Sequence, residues 1–250
     1  MVKRVRRLLK WLAACGLAVG ASYWLLLSGP QPLFGWSVRL GNLCLYSDTT
    51  FDPAAGLCVL TTVRDDLRLS PRYDEAASHA AFICGTPWRH RLLMAAASRA
   101  GGVNYCPVTA NVFLVGAVVE ENRLLPLSGR PDMFGRPRDH FIAHEVTHTL
   151  EARAVGILAY RRVPDWVKEG YAEYVGGGRG RFDYDEAASA FLAGAPAMNR
   201  PAEAPYLRYR LLVTHLIDRK GWHPLDLLAT NLTREQADAL LRAELRLSRR

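Results

Sequence analysis

The sequence predicts an α+β fold in three parts: an N-terminal membrane helix, then a mixed β-sheet, then a helix pair followed by a helical C-terminal part. Three observations lead to this prediction. Residues 11–27 carry no charge, and residues 111–120 (NVFLVGAVVE) are rich in the β-branched side chains that favour strands. From Asp139 onward the sequence predicts helices, and strands followed by helices are typical of the α+β class.

The first 27 residues have the pattern of a membrane anchor. Five of the first ten residues are Lys or Arg, and none is acidic. The uncharged segment 11–27 would be about 25 Å long as a helix, which is at the short end for spanning a bilayer. Trp11 and Trp24 lie near its two ends, where interfacial aromatic residues are common.

The distribution of basic residues predicts the orientation of this anchor. Lys and Arg stay on the cytoplasmic side, so we expect a single-pass protein with a cytoplasmic N-terminus. Residues 1–30 then form the basic flank and the transmembrane signal anchor, and residues 31–250 form one periplasmic or extracellular domain. A cleaved signal peptide is the alternative, but no A-x-A site follows Leu27.

The basic residues ahead of the anchor also account for most of the formal net charge of +8. Removing these five charges from +8 leaves +3, which is ordinary for a domain of this size. The charge therefore gives no reason to expect nucleic-acid binding, and we expect no nucleic-acid partner.

Four cysteines follow the anchor: Cys44, Cys58, Cys84 and Cys106. An even number of cysteines in an exported domain predicts two disulfides, and short loops favour the pairings Cys44–Cys58 and Cys84–Cys106. Four buried thiols are the alternative. A structural zinc site is disfavoured because the sequence contains no C-x-x-C pair.

Between the anchor and residue 138 the sequence predicts mostly strands. Residues 43–48 (LCLYSD) and 57–63 (LCVLTTV) predict a hairpin around the turn DPAAG. Residues 89–102 (RHRLLMAAASRAGG) predict a helix that ends at glycine. A loop at 122–138 then leads to the first helix of the C-terminal part.

The first helix of the C-terminal part carries the motif HEVTH. His144 and His148 lie four residues apart, so on a helix they project side by side and can share one Zn²⁺. Glu145 lies near enough to the same face to reach a metal-bound water. A catalytic zinc site needs a third protein ligand, which a five-residue motif does not supply.

The residues after this motif discriminate between zinc classes. The segment TLEARA lacks the Gly and His of the metzincin pattern, which excludes that class. The second helix, predicted from Pro164 or Asp165 to the glycines 176–178, supplies Glu169 as third ligand. Glu173, one turn later, can accept the second ring N–H of a zinc-binding histidine.

Two further residues remain alternatives near the motif. His140 completes a stripe with the two motif histidines, and it either adds a fourth metal-binding group or lies at the start of the helix. Glu151 lies on the same side of the helix as His148 and is an alternative ligand. Two histidines and Glu169 already complete the protein's share of a catalytic site.

HEVTH together with WVKEGYA resembles the gluzincin metallopeptidases, the superfamily of thermolysin and aminopeptidase N. The peptidase-MA-like bacterial branch, with its W-x-x-E-G-x-A signature, is the nearest in pattern. The resemblance covers about residues 105–222. Twenty residues separate His148 from Glu169, close to the spacing of that family. The sequence lacks the G-x-M-E-N stretch that holds a free amine in the aminopeptidases.

The resemblance implies further site residues. An oxyanion-stabilising tyrosine would lie in APYLRYRLLVTHLIDRKG (204–221), where Tyr206 is preferred and Tyr209 is the alternative. The strand at 111–120 would be either an edge strand that pairs with an extended peptide or an ordinary central strand.

The sequence therefore predicts a membrane-anchored, zinc-dependent peptidase. Zn²⁺ held by His144, His148 and Glu169 would acidify a water, and Glu145 would act as general base. The substrate would be a peptide or protein. One alternative is a catalytically weak zinc-fold binding or assembly protein at the cell envelope, and another is a zinc amidase that acts on cell-wall peptides.

Overall fold

The computed structural model describes residues 2–97, 100–125, 137–178, 180–198 and 206–247. These residues form ten α-helices and seven strands, so the α+β class with a mixed sheet is confirmed. The strands are β1 (Trp36–Leu40), β2 (Leu43–Ser47), β3 (His79–Cys84), β4 (Gly102–Asn104), β5 (Val112–Val115), β6 (Ala117–Val118) and β7 (Arg123–Leu124).

The helices fall before, between and after the strands. They are α1 (Val2–Ser28), α2 (Pro53–Leu67), α3 (Pro87–Leu93), α4 (Arg138–Val155), α5 (Ile157–Tyr160), α6 (Asp165–Gly176), α7 (Tyr184–Leu192), α8 (Tyr206–Thr214), α9 (Pro224–Leu228) and α10 (Arg234–Leu247). A π-helix, His215–Arg219, continues α8.

Five strands form the main sheet in the order β1-β2-β3-β5-β4. The three inner strands β2, β3 and β5 are parallel, and the two outer strands are antiparallel to their neighbours. Every residue of β5 is buried, as expected for an inner strand that is covered on both faces. The sheet therefore presents β4 as the outer edge next to β5.

The predicted hairpin at 43–63 is wrong, because residues 57–63 lie in α2. Asp52 caps this helix by accepting a hydrogen bond from the backbone N–H of Ala54, and Pro53 occupies the first helical turn. DPAAG is therefore a helix start rather than a turn. The true hairpin joins β1 to β2 through Gly41, whose φ of 58° suits glycine.

The predicted strand at 111–120 is shorter than expected and is not an edge strand. β5 covers residues 112–115 and lies between β3 and β4, so the central-strand alternative is correct. The edge strand β4 lies at the end of the segment predicted as a helix. In that segment α3 ends at Leu93, and a 3₁₀ turn over Ala95–Ala97 follows.

Neither predicted disulfide is present, because each of the five cysteines is a free thiol. Cys58 lies on the exposed face of α2, so the helix directs it towards solvent and away from Cys44 on β2. Cys84 is fully buried in β3, where burial raises the pKa of its thiol to about 12. It therefore stays protonated.

The two helices predicted around the HEVTH motif are confirmed. α4 begins one residue before the predicted start at Asp139, and α6 spans Asp165 to Gly176 as expected. Helix α10 begins with a capping box. Thr233 and Gln236 exchange two hydrogen bonds, of 2.8 and 3.2 Å. Most of the predicted loop at 122–138, residues 126–136, lies outside the described residues.

The N-terminal helix α1 is long and apolar enough to cross a membrane over Arg4–Ser28. Almost all of its apolar surface is exposed, since only 6% of the most apolar window is buried against the rest of the protein. Exposed apolar surface of this extent is typical of a segment that contacts lipid.

Helix α6 approaches α8 closely at Gly170, which is the glycine of the WVKEGYA segment. A methyl group at this position would lie 2.7 Å from the carbonyl oxygen of Tyr209 and 2.7 Å from a methyl group of Val213. These distances are shorter than van der Waals contact. Gly170 is therefore required for the packing of α6 on α8.

We predict that Gly170→Ala lowers the free energy of unfolding by about 1–3 kcal/mol, the usual cost of overpacking. The sign is opposite to the helix propensity of alanine, which would favour the variant by up to about 1 kcal/mol. Chemical denaturation of the full chain in detergent measures the change. Gly35→Ala is the control, because no atom lies within 4 Å of a methyl group there. Equal stability of the two variants would contradict the packing argument.

Candidate metal centre

Three donor atoms converge between α4 and α6. The Nε2 atoms of His144 and His148 lie 3.2 Å apart. Oε2 of Glu169 lies 3.3 Å from Nε2 of His144 and 3.8 Å from Nε2 of His148. The structure thus brings together the three residues that the sequence predicted as ligands, and their spacing could hold a metal ion.

The close crossing of α4 and α6 produces this convergence. A methyl group at Gly176 would lie 2.8 Å from the carbonyl oxygen of His140 and 3.0 Å from the backbone nitrogen of His144. Only glycine therefore permits this approach. Trp166 and Val167 are buried at the other end of α6, and the indole N–H of Trp166 donates to the carbonyl of Leu232.

Glu173 contacts the other nitrogen of His144, as the sequence predicted. Its Oε1 atom lies 3.1 Å from Nδ1 of His144 and 3.2 Å from Nε2 of His140. The contact with His144 is an ion pair whose N–H is not well directed at the oxygen. His140, His144 and Glu173 form a second group that could hold a metal ion, and it shares His144 with the first.

Two carboxylates control the protonation of His144 when no metal is bound. Burial alone would lower the pKa of His144, but Glu169 and Glu173 outweigh it and raise the pKa to about 10. Burial would raise the pKa of Glu173, but contacts with His140 and His144 hold it well below its usual range. The metal-free centre therefore contains an imidazolium between two carboxylates.

His148 is oriented by residues on its far side. Its Nδ1 atom lies 2.8 Å from the hydroxyl of Tyr160 and 3.3 Å from Oε2 of Glu151, and that hydroxyl donates to Glu151 at 3.0 Å. Glu151 therefore faces the nitrogen opposite Glu169 and does not join the three converging donors. No sequence pattern indicated Tyr160. Gly156, at a φ of 81°, ends α4 and returns the chain so that α5 carries this residue back.

The two predicted catalytic residues also lie near the centre. Glu145 is partly buried and packs against the backbone of Gly102 in β4, where an added methyl group would meet its side chain at 3.2 Å. The ring of Tyr206 meets the ring of His144 edge to face, with 6.0 Å between centroids. Tyr209, the alternative tyrosine, instead contacts Arg234 of α10.

No protein-family model matches this chain, and no curated protein matches it.

We predict that His144 in the metal-free protein titrates near pH 10 rather than near 6.5. Since the folded-state pKa is raised, the stability it contributes is fully present below pH 6.5 and is lost as pH rises through about 10. Ring resonances of isotope-labelled histidine, followed against pH in full-length protein with a chelator, measure this value. Glu173→Gln should move it towards the ordinary value because one carboxylate is removed.

The matched control for that titration is Glu244→Gln. It removes a carboxylate from a different histidine, His215, whose Nε2 lies 2.9 Å from Glu244. The pKa of His144 should not change in this variant. A His144 pKa at or below 6.5 in the unaltered sequence would contradict the arrangement of carboxylates described above.

Proposed function

We propose that this chain is a zinc-dependent peptidase that is anchored in a membrane by residues 11–27. The convergence of His144, His148 and Glu169 carries the proposal. Two donors that each lie about 2.0–2.1 Å from a tetrahedral zinc ion are about 3.3 Å apart. The observed separations of 3.2, 3.3 and 3.8 Å are close to that spacing. Two histidines and one glutamate are also a donor set of catalytic zinc.

Exposure favours this group over the second group as the catalytic metal site. His140, His144 and Glu173 are all buried, so a metal between them would be less accessible to substrate than one at the first group. His148 and Glu169 are only partly buried, and 30% of the Glu169 side chain is exposed. Three protein donors at an accessible position leave room for water or substrate. Glu173 then orients His144, as carboxylates commonly do for metal-binding histidines.

The residues around the three ligands match the needs of peptide hydrolysis. A bound Zn²⁺ would supply Lewis-acid chemistry, by acidifying water and polarising a carbonyl. Glu145 is the general base: its carboxylate accepts a proton from the attacking water and passes it to the leaving amine. Tyr206, beside His144, is the donor for the developing oxyanion, and its position favours it over Tyr209.

The edge strand β4 supports an extended peptide as substrate. β4 is the outermost strand of the sheet, and it packs against Glu145 through Gly102. An extended chain that adds to an exposed sheet edge forms backbone hydrogen bonds, which hold it without regard to its side chains. A peptide paired with β4 would pass directly by the proposed general base.

The proposed location follows from the charge pattern and from α1. Basic residues precede the apolar segment, so the N-terminus would be cytoplasmic and residues 31–250 would be periplasmic or extracellular. α1 is long and apolar enough for a single crossing. The substrate would then be a peptide or protein outside the cytoplasm.

We predict that Glu145→Gln abolishes peptide cleavage while zinc remains bound. The substitution removes the proton acceptor but none of the three ligands, so only the chemical step is lost, by at least about 100-fold. Cleavage of a fluorogenic peptide library by the full chain, with and without chelator, measures activity, and elemental analysis measures zinc. Glu186→Gln on α7, an exposed carboxylate outside the centre, is the control and should retain full activity.

Two outcomes would contradict this proposal. Full activity of Glu145→Gln would exclude Glu145 as general base. If the unaltered protein binds zinc but shows no chelator-sensitive cleavage of any library peptide, the chain is instead a binding or assembly protein that has kept the zinc fold.

A further inference from the structure

The end of α1 is packed into the domain rather than joined to it by a flexible linker. Leu27 is buried in the hydrophobic core, and Phe34 beyond the helix end is buried as well. The side-chain amide of Asn111 donates to the carbonyl of Leu27 at 2.8 Å and to that of Ser28 at 3.3 Å. These contacts satisfy carbonyls at the helix end and fix the domain on α1.

Two aromatic side chains of α1 contact the domain at positions that precede Leu27, inside the apolar segment. The hydroxyl of Tyr23 donates to the carbonyl of Leu92 at 3.0 Å, and the indole N–H of Trp24 donates to the carbonyl of Val108 at 3.1 Å. Tyr23 lies four residues before Leu27, which is about 6 Å along a helix. Side chains of a helix lean towards its N-terminus, so they carry these contacts further from the core of the domain.

The parts of the domain that reach this level expose apolar side chains. Leu92 and Val108, which α1 contacts, are exposed, and Trp88, one helical turn before Leu92 on α3, is 50% exposed. Trp24 of α1 lies beside Val108 and is also exposed. We call Trp88, Leu92 and Val108 the collar. A group of exposed apolar residues around the end of an apolar helix marks an interaction surface.

Two arginines of α3 lie beside the collar, and one of them, Arg89, pairs with the buried carboxylate of Asp48 at 3.5 Å. The α3 sequence is PWRHRLL, in which Arg91 is exposed. The guanidinium of Arg89 stacks on the ring of Trp88, with 4.3 Å between its carbon and the ring centroid. Aromatic, aliphatic and basic side chains together are typical of segments that lie in the headgroup region of a bilayer with anionic lipids.

We propose that the collar inserts into the headgroup region of the bilayer that α1 spans. This inference rests on the proposed membrane anchor. The collar lies at the C-terminal end of the apolar segment, where Tyr23 and Trp24 contact it, and it adds apolar surface there. The domain therefore lies directly on the membrane in one orientation.

The contact between the collar and the bilayer also restricts the region in which the proposed peptidase can reach its substrate. The edge strand β4 ends at Asn104, four residues before Val108. Four residues span at most about 14 Å, so the edge strand lies close to the membrane surface. The substrates of the proposed peptidase are accordingly chain segments that lie near the membrane.

The test places a fluorescent probe at the collar. In full-length protein with exposed Cys15 and Cys58 replaced by serine, Trp88→Cys is labelled with an environment-sensitive fluorophore. Leu240→Cys on α10 is the control, since Leu240 has a similar exposure of 46%. Both proteins are reconstituted into vesicles of phosphatidylcholine and phosphatidylglycerol that carry a headgroup nitroxide quencher. Val108→Cys provides a second collar position if Trp88→Cys does not fold.

Because an interfacial segment lies about 5–10 Å into the headgroup boundary, quenching at the collar should be at least about threefold stronger than at Leu240. Vesicle flotation separates this inference from the anchor. Protein that floats with equal quenching at both positions overturns the collar alone. If the collar probe is shielded from both water and quencher, and this shielding increases with protein density in the vesicles, a second copy of the chain covers the collar. That result also overturns the inference. Failure to float overturns the anchor and the collar together.

Discussion

The close crossing of α4 and α6 is the contact on which the candidate centre depends. Gly176 has no side chain, so α6 passes within contact distance of the α4 backbone at His140 and His144. Two glutamates of α6 therefore reach His144, Glu169 at one ring nitrogen and Glu173 at the other. Gly170 has the same role on the opposite side, where α8 packs on α6. Two glycines thus set the spacing of three helices.

The buried charges in this crossing stabilise one another. Burial of an isolated imidazole would lower its pKa, and burial of an isolated carboxylate would raise its pKa, so each group would favour its neutral form. Together they hold each other charged in the metal-free protein, with His144 protonated and Glu173 ionised. A metal ion between the Nε2 atoms would displace that proton, because metal-binding histidine must be neutral. Metal binding at this centre is therefore coupled to proton release.

Much of the centre could be predicted from sequence because its signals are local. Histidines four apart on a helix share a face, and PDWVKEGYAEYV contains both a helix start and two carboxylates one turn apart. The positions of α4 and α6 and the contacts of Glu169 and Glu173 followed from these patterns. That the metal is zinc, and that the site is catalytic, remain predictions.

The parts that could not be predicted depend on contacts between distant segments. The identity of the edge strand is decided by sheet order, and nothing local in residues 102–104 indicates it. Tyr160 reaches His148 only because the chain reverses at Gly156. The hairpin at 43–63 failed for a different reason. Its turn residues, Asp52 and Pro53, are equally good helix-start residues, and the buried positions along α2 decided between the two.

The zinc content of the full-length protein, purified without chelator, tests the central claim most directly. The unaltered chain and the Glu186→Ala control should each carry about one zinc ion, as expected for a single three-ligand site. Glu169→Ala should lose most of it, and His140→Ala should retain it. If Glu169→Ala keeps its zinc while His140→Ala loses it, the metal lies between His140, His144 and Glu173, and the proposed catalytic centre is wrong.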